Sequence, residues 1–176
     1  MDIAIRRPNS ADAEELHRFF RTVISDTYMR EGIGDLVDDM KDEIQTKEAY
    51  LRKDLSSDGG QRYFLIAETG GRIVGTIEFG PASSLIRECT DGQLSGLLEV
   101  GTVFVHPEFQ KQGIGNLLLA SIFGVLKSRG IGGCCLDSGY RNAQQIWKKK
   151  FGEPDFVLKD YWGEGFDHMI WKVEIR

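Results

Sequence analysis

The feature that most constrains the fold is a strand-like run that passes through two glycines straight into a long amphipathic helix. Leu97 to Val105 is dense in Leu and Val with Glu99 embedded in it, and His106-Pro107 closes the run. The stretch PEFQKQGIGNLLL, Pro107 to Leu119, then carries the chain across Gly113 and Gly115. Ile114, Leu117, Leu118, Ser121, Ile122, Val125 and Leu126 recur at helical spacing, which predicts a helix ending near Gly130. Two glycines at such a transition allow a tight turn whose amides point outward, at the partly positive end of a helix. A turn of this kind suits a phosphate.

The rest of the chain supplies elements that can flank this unit. Ile3 to Arg6 alternates as a short strand, and Pro8-Asn9-Ser10 breaks it and offers capping side chains. Leu16, Phe20, Val23, Ile24 and Tyr28 predict one helix, and Leu36, Met40, Ile44, Leu51 and Leu55 a second. Tyr63 to Glu68 and Ile73 to Phe79 read as a hairpin turning at Thr69-Gly70-Gly71-Arg72. Gly80 to Gly96 is polar and broken, so a surface excursion is expected. Cys134 to Leu136 reads as a buried strand, Asn142 to Phe151 as a helix, and Phe156 to Tyr161 and His168 to Ile175 as closing strands. The order predicts a mixed α/β fold with one layer of sheet and helices on its faces, built as a single domain over residues 1–176.

Composition excludes several classes. A formal net charge of -5 argues against a nucleic-acid binder, which would carry a basic stripe. MDIAIRRPNSADAEE turns polar at once, so neither a signal peptide nor a membrane span is expected. Cys89, Cys134 and Cys135 are an odd count, two of them adjacent in an apolar run, which suits reduced, buried thiols in a cytoplasmic protein. Cys134 and Cys135 point to opposite faces of a strand, and His17, His106 and His168 are not at zinc-ligand spacing, so no metal is expected. His106 reads as a turn residue and His168 as part of the last strand.

The known phosphate motifs can be tried in turn. A P-loop would need Lys-Ser/Thr after its last glycine, where Asn116 and Leu117 stand, and a dinucleotide fingerprint would need a third glycine where Leu118 stands. What remains is Gln110-Lys111-Gln112-Gly113-Ile114-Gly115. It resembles the Q/R-x-x-G-x-G/A segment of the GNAT acetyltransferase superfamily, and the element order over nearly the whole chain, with its closing strand pair, is similar too.

The resemblance implies an acyl-CoA N-acyltransferase fold: a single mixed, mostly antiparallel seven-stranded sheet flanked by about four helices. It implies that Gln110, Lys111, Gln112, Gly113, Ile114, Gly115 and Asn116 bind the cofactor, the amides from Lys111 to Asn116 holding the pyrophosphate of acetyl-CoA. Val103, Phe104 and Val105 would pair with the pantetheine arm as with an added strand. Lys111 adds charge or is idle. Asn142 matches the asparagine that contacts pantetheine, and its plain role is a helix N-cap. The implied reaction is transfer of acetyl from acetyl-CoA to a primary amine by direct attack in a ternary complex.

Such transfer needs a neutral amine and often an acid for the thiolate. Glu99 is the candidate base, sharing strand parity with Gly101, Val103 and Val105; its plain reading is a solvated strand-end residue. The tyrosine acid usual in the superfamily is missing, because Lys148 and Lys149 stand at its place. Tyr140 or Tyr161 would have to supply it, or the thiolate takes its proton from water. Glu31, Asp35, Asp38, Asp39, Glu88 and Asp91 lie in segments expected to flank the channel, which favours a small cationic amine or amino-acid derivative, unless they are solvated surface. Peptide N-termini, lysine side chains, a catalytically silent acyl-CoA sensor and a structural partner are the other readings. Dimers are common in the superfamily, so a homodimer is among the implied assemblies.

Overall fold

The computed structural model describes residues 1–176. Its strands are β1 (Ala4–Arg6), β2 (Tyr63–Thr69), β3 (Arg72–Pro81), β4 (Leu98–Val105), β5 (Gly133–Ser138), β6 (Phe156–Leu158) and β7 (His168–Glu174). Its helices are α1 (Ala13–Arg30), α2 (Val37–Ser57), α3 (Ser84–Cys89), α4 (Ile114–Ser128) and α5 (Arg141–Phe151). The strands form one sheet in the order β1-β2-β3-β4-β5-β7-β6. β1, β2 and β3 pair antiparallel, as do β5, β7 and β6, whereas β4 and β5 run parallel. The mixed, mostly antiparallel seven-stranded sheet is therefore as expected, with α3 as the additional helix.

Contacts divide the chain into two compact units, Met1–Phe79 with Thr102–Val125, and Gly80–Gly101 with Leu126–Arg176. In the first unit, the helical spacing of Leu16, Phe20, Val23 and Ile24 puts them on one buried face of α1, and Phe64, Ile66 and Ile77 are likewise buried. Asn9 and Asp12 form the capping box before α1, with Asn9 Oδ1 accepting the Ala11 N–H at 2.9 Å and Asp12 accepting the Asn9 N–H at 2.8 Å. Arg6 joins this cap to the sheet through Asp12 at 2.8 Å and Glu68 at 2.7 Å.

The Arg6 hydrogen bonds hold the Asp12 carboxyl below its ordinary 3.8. A depressed folded-state value stabilises the protein above pH 3.8 and loses that contribution as pH falls through the lower folded value. Asp12→Asn should therefore lower stability at neutral pH and flatten the acid limb of a stability-against-pH curve below about pH 4.

In the second unit, the segment expected to be a surface excursion is packed. Ser83 caps α3, its Oγ accepting the Ile86 N–H at 3.3 Å. Ala82, Ile86 and Leu94 bury themselves against Cys135 and Ile170. Cys134 and Cys135 are free and buried, and burial pushes both thiols up to about 12. A native-state thiol titration should therefore modify Cys89 first and leave these two unlabelled until the protein is unfolded.

Candidate active site

The glycine stretch folds as a tight loop within the first unit. β4 ends at Val105, and Pro107–Phe109 makes one 3-10 turn in which His106 Nδ1 accepts the Glu108 N–H at 3.2 Å. Gln110 is extended, and its amide group ties the loop down: Nε2 donates to the Val105 carbonyl at 3.2 Å and Oε1 accepts from Arg30 at 3.1 Å. The backbone then enters the left-handed region twice, at Lys111 (φ 61) and Gly113 (φ 85). Glycine occupies that region freely, whereas a lysine there is strained by about 1–2 kcal/mol. The Gly113 carbonyl accepts the Leu117 N–H at 3.0 Å, so α4 begins immediately after the second left-handed residue. The first-turn amides of α4 have no intrahelical acceptor, and Lys111, Gln112 and Gly113 are exposed.

Gly115 needs no special φ. A Cβ there would meet only Val105 Cγ2 at 3.9 Å, an ordinary contact, so the missing side chain keeps space open in front of the loop. A residue the sequence reading missed sets the position of α4. A Cβ on Gly75 in β3 would lie 2.9 Å from Leu118 Cδ1, 3.1 Å from Ile114 Cγ2 and 3.2 Å from the Phe104 carbonyl. Its signal is a glycine inside a strand, which marks close approach of another element. Gly75→Ala should cost about 1–3 kcal/mol and displace the first turn of α4.

Val103, Phe104 and Val105 are half-buried. Phe104 packs its ring edge-on against Phe20, with centroids 6.3 Å apart. Midway along β4, Thr102 is buried with φ 50, a conformation that a β-branched residue adopts only under constraint. Its hydroxyl donates to Glu78 at 3.3 Å, its carbonyl accepts from Thr76 Oγ1 at 2.8 Å, and Glu78 is clamped by Arg62 at 2.6 Å. This left-handed residue interrupts the alternation of faces, so the parity argument placing Glu99 with Val103 and Val105 does not run through the strand.

The remaining candidates lie in the second unit. Glu99 is not a solvated strand end: it is 8% exposed, and Oε1 accepts the Ser83 N–H at 2.9 Å. It pairs in register with Cys135, whose thiol is pushed up first by burial and then by Glu99 and Asp137. Tyr140, half-buried, is the N-cap of α5, its N–H donating to Ser138 Oγ at 3.0 Å and its carbonyl accepting from the Gln144 N–H at 2.9 Å. Asn142 is thus already inside α5 and exposed, which corrects its reading as the N-cap. Lys148 approaches Glu153 at 4.0 Å, and Tyr161 is 45% exposed. No group of three His, Cys, Asp or Glu side chains is placed to hold a metal ion, and no helix is long and apolar enough to cross a membrane.

A parallel β4–β5 pair inside a mostly antiparallel sheet, with a left-handed loop feeding a helix from β4, defines an acyl-CoA N-acyltransferase fold. The profile of the Acetyltransferase (GNAT) family matches residues 23–152, well over half of the chain, and the chain belongs to that family. A protein from Desulfovibrio desulfuricans described as an acetyltransferase of the GNAT family is similar, with a TM-score of 0.76 at 18% identity over 99% of this chain and 100% of that one. The PaiA N-acetyltransferase from Thermoplasma acidophilum, solved with coenzyme A, has a TM-score of 0.69 at 22% identity over 98% and 100%. The yncA protein from Salmonella typhimurium, solved with acetyl-CoA, has a TM-score of 0.66 at 18% identity over 100% and 95%. None of the curated proteins matches the sequence significantly.

Proposed function

We propose that this acetyltransferase moves the acetyl group of acetyl-CoA to a primary amine of a small molecule, by direct attack in a ternary complex. The observation that carries the reading is the strained, exposed loop from Lys111 to Gly113 at the start of α4. A lysine held in the left-handed region is a cost that binding can justify, and the amides it presents suit two phosphates. Acetyl-CoA supplies an activated acyl carbon and a good leaving thiolate. Two of the similar structures hold coenzyme A or acetyl-CoA, which supports the same donor here.

On this reading the amides of Lys111 to Asn116 bind pyrophosphate and the Val103–Val105 backbone takes the pantetheine arm. Gln110 already occupies the Val105 carbonyl, so its part is to hold the loop rather than the donor. The buried charge of Glu99 draws the ammonium form of the acceptor, Asn142 contacts the pantetheine, and Tyr140 protonates the departing thiolate. The test is release of free coenzyme A thiol on a panel containing butylamine, 1,4-diaminobutane, an amino-acid amide and an alanyl peptide. Turnover with a small amine is expected, with kcat in Tyr140→Phe about 10²-fold lower. Turnover with the peptide alone would overturn the small-amine reading, and turnover with none would overturn the enzymatic one.

A further inference from the structure

We propose that His168, oriented by Asp137, takes the proton from the acceptor ammonium, and that the Trp162 indole covers it until the acceptor arrives. This rests on the reading above that the acceptor is a primary amine.

The indole N–H is a donor only, and it lies 3.0 Å from His168 Nδ1. Nδ1 is therefore the unprotonated nitrogen, and Nε2 carries the hydrogen that it donates to Asp137 Oδ2 at 2.8 Å. A neutral imidazole with its lone pair outward and a carboxylate behind it is the arrangement a general base requires. Asp137 fixes the tautomer and stabilises the imidazolium that forms.

The group on the lone pair is one that can leave. His168 is 5% exposed, but Trp162 is 58% exposed, on the segment between β6 and β7. The indole reaches Nδ1 only because residue 139 is glycine, where a Cβ would stand 2.6 Å from the indole nitrogen. An acceptor N–H donor is chemically equivalent to the indole N–H and can take its place. The exposed rings of Tyr161 and Trp162, edge-to-face at 4.8 Å, then offer π faces to a cation.

Register places this pair on the same face of the sheet as Glu99, further along the strands. Glu99 pairs with Cys135, Asp137 is two residues further along β5 on the same face, and Asp137 pairs with Ile170, two residues from His168 in β7. One face of the second unit thus carries Glu99, Asp137 and His168. The titratable groups around the imidazole are Asp137, the Tyr161 ring at 5.9 Å, and the adjacent Asp167, whose Oδ1 accepts the Asp160 N–H.

The ammonium passes one proton to Nδ1, and the neutral nitrogen forms a bond to the acetyl carbon as the carbon–sulfur bond breaks. The second nitrogen proton goes to water. Tyr140 gives its proton to the thiolate and regains one from the imidazolium through water, leaving the amide, coenzyme A thiol, and neutral Tyr140 and His168.

The test measures kcat/KM for 1,4-diaminobutane between about pH 6 and about pH 10, and tryptophan fluorescence over the same range. His168→Gln should lower kcat/KM by about 10²–10⁴ and remove its acid limb with acetyl-CoA affinity unchanged. Asp137→Asn should move that limb to lower pH. In the protein without acetyl-CoA, protonation of Nδ1 breaks the indole bond, so emission should step along the same limb and not in Trp162→Phe. A His168→Gln variant within about threefold of wild type with its acid limb intact would overturn the proposal and leave the acetyltransferase reading standing. If that variant fails to fold, an unmoved limb in Asp137→Asn overturns it instead. Wild type that binds acetyl-CoA but acetylates no amine would overturn the underlying reading and this one with it.

Discussion

Gly115→Glu should leave the protein folded, raise its melting temperature slightly and weaken acetyl-CoA binding by about a thousandfold. The added Cβ meets only an ordinary contact with Val105, and glutamate is a better helix former than glycine by about 0.5–1 kcal/mol. A carboxylate in the first turn of α4 gains a further ~0.3–1 kcal/mol from the helix dipole. The same carboxylate would stand against the bound pyrophosphate. Two like charges about 4 Å apart at an effective dielectric of 20 repel by about 4 kcal/mol, which is about three decades in Kd. Thermal unfolding and calorimetric titration separate the two effects. An unchanged Kd in a folded variant would remove the loop from donor binding.

Arg62→Met should destabilise the protein by about 3–5 kcal/mol, the cost of leaving one member of a buried ion pair without its partner. Arg62 is 6% exposed and Glu78 fully buried, 2.6 Å apart. The Arg62 guanidinium also stacks at 3.6 Å over the Tyr50 ring. The loss reaches β4, because Glu78 is the acceptor that holds the Thr102 hydroxyl. Without the clamp, Thr102 is free to leave the left-handed region, and the course of β4 toward Val105 changes with it. Urea unfolding measures the first effect. A loss below about 1 kcal/mol would mean that Glu78 finds another partner or takes up a proton.

The sequence carried the parts of this molecule that local chemistry dictates. The helix from Ile114 was legible because its apolar spacing is long and regular, and the turn before it because Gly113 sits where a left-handed residue is needed. The hairpin of β2 and β3 was legible in its two alternating runs and paired glycines. α3 was not, because six residues with one fully buried anchor, Ile86, gain their helix from packing on Cys135 and Ile170 rather than from periodicity. Thr102 opposes its own backbone preference and is held by Glu78, 24 residues away, so no local rule finds it. The same holds for Asp137 and His168, 31 residues apart, which meet only through the β5–β7 register. The N-cap of α5 is Tyr140 rather than Asn142, two residues earlier, because the Tyr140 carbonyl already accepts the Gln144 N–H.

Amide hydrogen exchange across residues 110–117, with and without saturating acetyl-CoA, tests the central assignment most directly. The amides from Lys111 to Asn116 should exchange markedly more slowly with the donor bound, and in wild type but not in Gly115→Glu. Acetyl-CoA that binds while these amides exchange at their unliganded rates would contradict the assignment of this loop as the donor cradle.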